Sequence, residues 1–85
     1  MKREKILEEA IRLITQERAE QHGDARKNFE TISVLWSEIL KIQVEPHQVA
    51  LCMASLKIAR LVSNSKSEDS WIDLAGYAAL GGEFA

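Results

Sequence analysis

A single cysteine, Cys52, excludes an internal disulfide and any cysteine-rich zinc module, and it fits a reducing compartment, with the cytoplasm as the expected location. One proline and four glycines in 85 residues leave little turn chemistry for a meander of strands, so composition favours an all-α chain. No apolar run approaches the roughly 18 residues a membrane helix requires, and the basic start Met1-Lys2-Arg3-Glu4-Lys5 leads into alternating charges rather than a signal-peptide core. Neither sign of charge dominates. Eleven Lys and Arg against 13 Asp and Glu give −2, which removes the argument for a basic nucleic-acid-binding domain. Two histidines far apart make no zinc motif, and glycine-rich phosphate loops and a Ser/His/Asp order are absent.

What is present is a chain rich enough in apolar residues, 46%, to fold as one domain spanning residues 1–85. A chain of this size buries only about 60% of its unfolded surface, so association with a second copy is expected. Ile6, Leu7, Ala10, Leu13 and Ile14 recur at helical spacing within a first helix of about residues 2–20, whose other face is charged, with Lys5 to Glu9 and Glu8 to Arg12 four apart. Gly23 and Asp24 break the pattern and supply a left-handed turn and an N-cap for a second helix of about residues 25–41, carrying Phe29, Ile32, Leu35, Trp36, Ile39 and Leu40. Pro46 suits the first turn of a third helix, residues 46–63, that is apolar around nearly its whole circumference and is therefore expected to be buried, in part at a subunit interface. A fourth helix is expected from Glu68 to Leu80, closing at Gly81-Gly82. The expected architecture is a compact four-helix bundle, oligomeric in solution. Trp36 and Trp71 are expected in the core, and Cys52 as a buried, inert thiol.

Lys57 and Arg60 stand three apart on the otherwise apolar third helix, and Asp69 and Asp73 stand four apart on the next, with Tyr77 continuing their stripe. If the two helices form an antiparallel hairpin, these side chains converge on one groove. Two readings follow: structural salt bridges, or a site for a phosphate-bearing ligand with a divalent cation, in which the carboxylates are hard oxygen ligands for Mg²⁺ and the cations neutralise phosphate. A second cluster, Arg18, His22, Asp24 and Asn28, flanks the first turn. It reads either as an acid–base and metal-binding group or as a turn residue, an N-cap and surface polar residues.

Three blocks, ERAEQHGDARKNFETISVLW, VALCMASLKIAR and DSWIDLAGYAAL, span most of the chain. Together they resemble a family of small, mostly uncharacterised proteins encoded by tailed bacteriophages and prophages. More distantly, their order is similar to phage nucleotide-modification-associated proteins and to MazG-like all-α nucleoside triphosphate pyrophosphatases. The resemblance implies a helical bundle, often dimeric or tetrameric, that binds Mg²⁺ through Asp69, Asp73 and Asp24, and nucleotide phosphates through Lys57, Arg60, Arg18, Asn28 and Tyr77. The implied activity is Mg-dependent nucleotide pyrophosphohydrolysis in the host-cell cytoplasm. The pattern departs from MazG-like enzymes in one respect: the stretch from Asn28 to Glu38 has no Glu-x-x-Glu pair. Glu30 and Glu38 are two turns, about 12 Å, apart and cannot share one ion. The alternative function is therefore a non-catalytic module of a phage that binds a nucleotide or a host protein.

Overall fold

In the computed structural model, residues 1–17 and 23–85 are described. They form four helices, with no strand among the described residues: α1 (Arg3–Arg12), which passes into a π-helical turn (Leu13–Glu17), α2 (Ala25–Leu40), α3 (Pro46–Ser63) and α4 (Glu68–Phe84). No helix is long and apolar enough to cross a membrane among the described residues. The all-α, four-helix expectation holds.

Local chemistry explains most boundaries. The Asp24 carboxylate accepts the Arg26 backbone N–H at 3.0 Å, after Gly23 has turned the chain at φ +74°. At the far end of α2, Lys41 takes a left-handed φ of 59°, the position that glycine usually fills. Pro46 opens α3 at a point where its missing N–H costs no helical bond, and Glu45 and Gln48 cap each other's backbones there, with Glu45 N–H donating to Gln48 Oε1 at 2.8 Å. On α1, Lys5 and Arg12 both reach Glu9, at 3.4 and 3.1 Å. Hydrogen bonding from Arg12 first, and from Lys5, holds the Glu9 carboxyl below the usual carboxylate range. Arg12 takes Glu9 rather than the expected Glu8.

Helix α4 is the axis of the fold: it lies against α3 along its length and against α1 on another side, while α2 packs on α3. Small residues permit the close approaches. An added Cβ at Gly76 would stand 3.0 Å from Ile14 Cγ2, and one at Gly81 would stand 3.1 Å from Ala50 Cβ. Phe29, Val44, Val49, Ala50, Leu80 and Phe84 form the core, with Trp36, Met53 and Tyr77 against it. The Phe29 and Phe84 rings tilt 59° at 5.4 Å, and the Arg26 guanidinium covers Phe84 from 5.0 Å.

Three expectations are corrected, on the end of α4, on Cys52 and on Trp71. Helix α4 does not close at Gly81-Gly82 but runs to Phe84, because Gly81 is needed for contact with Ala50 and Phe84 completes the core. Within one chain helix α3 is buried on one side only: Val49, Ala50 and Leu61 face inward, whereas Leu51, Leu56, Ile58 and Val62 are exposed. Cys52 is exposed for the same reason. Trp71 lies at the surface with its indole N–H donating to the Ser65 carbonyl at 2.9 Å, while Trp36 is half-buried against the core as expected.

Candidate functional site

Helices α3 and α4 run antiparallel across the Asn64–Ser67 turn, which places the last turns of α3 beside the first turns of α4. The cations at Lys57 and Arg60 and the carboxylates at Asp69 and Asp73 therefore line one open cleft of about 600 Å³. Within it the Lys57 ammonium binds Asp73 Oδ2 at 2.9 Å. The Lys57 side chain is only 14% exposed, so this pair neutralises a charge that would otherwise sit against the hairpin with little water. One of the expected ion pairs is thus formed, between Lys57 and Asp73. Arg60 and Asp69 are exposed in the same cleft and have no ion-pair partner among the described residues.

The remaining lining is polar: Ser63, Asn64, Ser67 and Ser70. Ser67 occupies the N-cap of α4, but its hydroxyl donates to Ser70 Oγ at 2.9 Å and caps no backbone N–H. The first-turn amides of α4 consequently keep their donors without a side-chain cap, and the positive end of the helix macrodipole lies at the hairpin turn, where Glu68 and Asp69 stand in the first turn. Spacing alone did not single out these serines, although the run Ser63-Asn64-Ser65-Lys66-Ser67 marks the turn that carries them.

The other candidates lie elsewhere. Tyr77 packs against the core and does not line the cleft. Asp24 lines a different cavity of about 370 Å³, with Gly23, Thr15 and Glu83, and serves as the cap of α2; Asn28 stands one turn further along and donates its backbone N–H to the Asp24 carbonyl. Arg18 and His22 lie outside the described residues. No group of three or more His, Cys, Asp or Glu side chains is placed to hold a metal ion among the described residues. Upstream of Asn28 the sequence does hold a Glu-x-x-Glu spacing, Glu17 and Glu20, of which Glu20 lies outside the described residues.

Residues 5–85 match the family described as Domain of unknown function (DUF6378). The chain is 40% identical over 76 residues to the Gene 55 protein of Mycobacterium phage L5, covering 88% of this chain and 49% of that protein. It is 44% identical over 75 residues to the Gene 55 protein of Mycobacterium phage D29, with 88% and 50% covered. The chain thus spans about half the length of these curated relatives. No solved structure matches. The similarity to phage-encoded proteins is supported, and the more distant likeness to MazG-like enzymes is not shown by these matches. With residues 5–85 of its 85 inside the family match, the chain belongs to the DUF6378 family, and the relatives it matches include proteins of two mycobacteriophages.

Proposed function

We propose that the chain is a nucleotide-binding module in which the α3–α4 cleft holds the phosphate groups. One observation carries this reading: an exposed guanidinium, Arg60, and the side-chain-uncapped first turn of α4 border the same cleft as the exposed Asp69 carboxylate. An oxyanion between Arg60 and the α4 amides gains charge-assisted hydrogen bonds and the helix dipole together. Mg²⁺ suits the acidic side, since it commonly binds through one or two carboxylates and completes its shell with water and phosphate oxygens. Asp69 and the Asp73 oxygen not engaged by Lys57 would hold it, and the ion would supply neutralisation of phosphate charge. Two carboxylates without phosphate make a poor metal site, so cation and nucleotide are expected to bind together. Lys57 positions Asp73 and adds positive charge behind the phosphates.

The second reading is that the module hydrolyses the nucleotide and releases pyrophosphate. The Glu17-x-x-Glu20 spacing supports it, as a further source of carboxylates in the chain. Binding without turnover is favoured by the absence of a three-carboxylate group among the described residues.

The test is a thermal-shift panel of canonical, modified and cyclic nucleotides, with and without Mg²⁺, on the wild-type protein and Arg60→Ala. A ligand at a hundred times its Kd adds about 2.7 kcal/mol to stability. A Mg²⁺-dependent rise in Tm that Arg60→Ala loses is expected, while the apo Tm of this exposed-site variant stays within the equivalent of about 0.5 kcal/mol. A flat panel at millimolar ligand overturns the nucleotide reading. Pyrophosphate release from a stabilising nucleotide then separates turnover from binding.

A further inference from the structure

Charge in the α3–α4 cleft is balanced. Among the described residues that line it, Lys57 and Arg60 are the cations, Asp69 and Asp73 are the carboxylates, and the rest are Ala59 and short neutral polar side chains, so the walls sum to zero. The two cations are not equally open to a ligand. The Lys57 ammonium, on a side chain 14% exposed, is held by Asp73 at 2.9 Å, whereas Arg60 is exposed and has no ion-pair partner among the described residues. Neighbouring cations point elsewhere: Lys66 lines a different cavity with Ile6 and Trp71, and the Arg26 guanidinium lies over Phe84 near the far end of α4. The positive end of α4 adds about half a charge, and Glu68 and Asp69 in its own first turn already answer it.

Such a cleft has one cation to give. A phosphate monoester carries about −2 near neutral pH, so that with Mg²⁺ it forms a neutral pair and leaves the neutral cleft neutral. Its single phosphoryl group is also what one guanidinium holds through a fork of two hydrogen bonds. Each further phosphate in the chain of a di- or triphosphate brings about one more negative charge, gives up water on entry and meets no second free cation among the lining residues, while Asp69 stands in the same cleft. Two like charges about 6 Å apart cost about threefold in affinity even in bulk water. At about 600 Å³ the open cleft is roomy enough for the longer ligand, so charge rather than bulk sets the preference.

We infer that the cleft selects a nucleotide with a single phosphate group, a nucleoside monophosphate over its di- and triphosphate. This rests on the nucleotide reading of the cleft and, within it, sides with binding over pyrophosphate release, whose substrate is a triphosphate. Isothermal titration of the protein with the mono-, di- and triphosphates of the four 2′-deoxynucleosides in Mg²⁺ tests it, with α,β-methylene triphosphates so that hydrolysis does not turn one ligand into another. For the base that binds, the monophosphate is expected to bind at least about threefold more tightly than the triphosphate. Ala59→Lys, which adds a cation on the exposed cleft wall next to Arg60, is expected to narrow that ratio by about threefold with the apo Tm unchanged. Should the lysine variant fail to fold, the wild-type ratio is compared at low and high salt, where screening is expected to narrow it. A triphosphate bound as tightly as the monophosphate, or a ratio that neither the added cation nor salt moves, overturns the inference and leaves the nucleotide reading standing. Absence of binding by every nucleotide at millimolar concentration overturns that reading itself, and the inference with it.

Discussion

Lys41 is the one non-glycine residue with positive φ among the described residues, and it ends α2 there. A side chain in the left-handed region costs about 1 kcal/mol or more, so Lys41→Gly is expected to stabilise the protein by up to about 1 kcal/mol in urea unfolding. Its loss of the surface pair with Glu38 subtracts little. Ser37 has the opposite standing. Its hydroxyl accepts the Val44 N–H at 2.8 Å and donates to the Ser33 carbonyl at 2.6 Å, fastening the connection after α2 to the helix itself. Ser37→Ala strands the N–H of a buried residue and is expected to cost about 1 to 3 kcal/mol by the same measurement. Residue by residue, what was legible in the sequence is what depends on near neighbours: the Asp24 cap, the left-handed Gly23 and the first-turn Pro46 all behave as their types require. The Lys41 turn was not legible, because lysine carries no signal for φ and only the packing around it enforces the conformation.

Among the elements, α4 shows why a glycine pair is an ambiguous stop. Glycine ends helices by taking positive φ, but Gly81 and Gly82 keep helical backbones, and Gly81 serves as a contact surface for Ala50. The two positions should therefore respond differently to the same change. Gly82→Ala, which meets nothing within 4 Å, is expected to raise stability by about 0.5 to 1 kcal/mol, whereas Gly81→Ala forces Ala50 to give way and loses that gain or more. A differential scanning comparison of the two variants checks it. The α3–α4 hairpin, by contrast, was legible: a short polar turn between two helices of opposite direction brought Lys57 to Asp73 as their spacing implied. The serine hydroxyls at the cleft were not, since serine in a turn is as readily a solvated residue as a ligand contact. Periodicity left α3 undecided, for an apolar circumference says that a helix is to be covered without saying by what.

On the scale of the whole molecule, one small core carries the fold, and Phe29 at 1% exposed is its largest fully buried side chain. Phe29→Ala removes the ring against Phe84 and is expected to cost about 3 to 5 kcal/mol, a large share of what an 85-residue domain possesses, read as a lower urea midpoint. The core lies among the start of α2, the first half of α3 and the last turns of α4, whereas the candidate cleft lies at the hairpin end beside the α3–α4 turn. That separation leaves Arg60 and Asp69 substitutable at little cost to folding, which makes the binding experiments readable. The order of packing has a consequence for synthesis as well. Helix α1 rests on α4, more than fifty residues downstream, while α3 and α4 are joined by a turn of a few residues. On the ribosome α1 is therefore made before the surface it packs on: it carries its apolar face through translation of α2 and α3, and its seat, with Gly76 opposite Ile14, exists only once α4 has emerged.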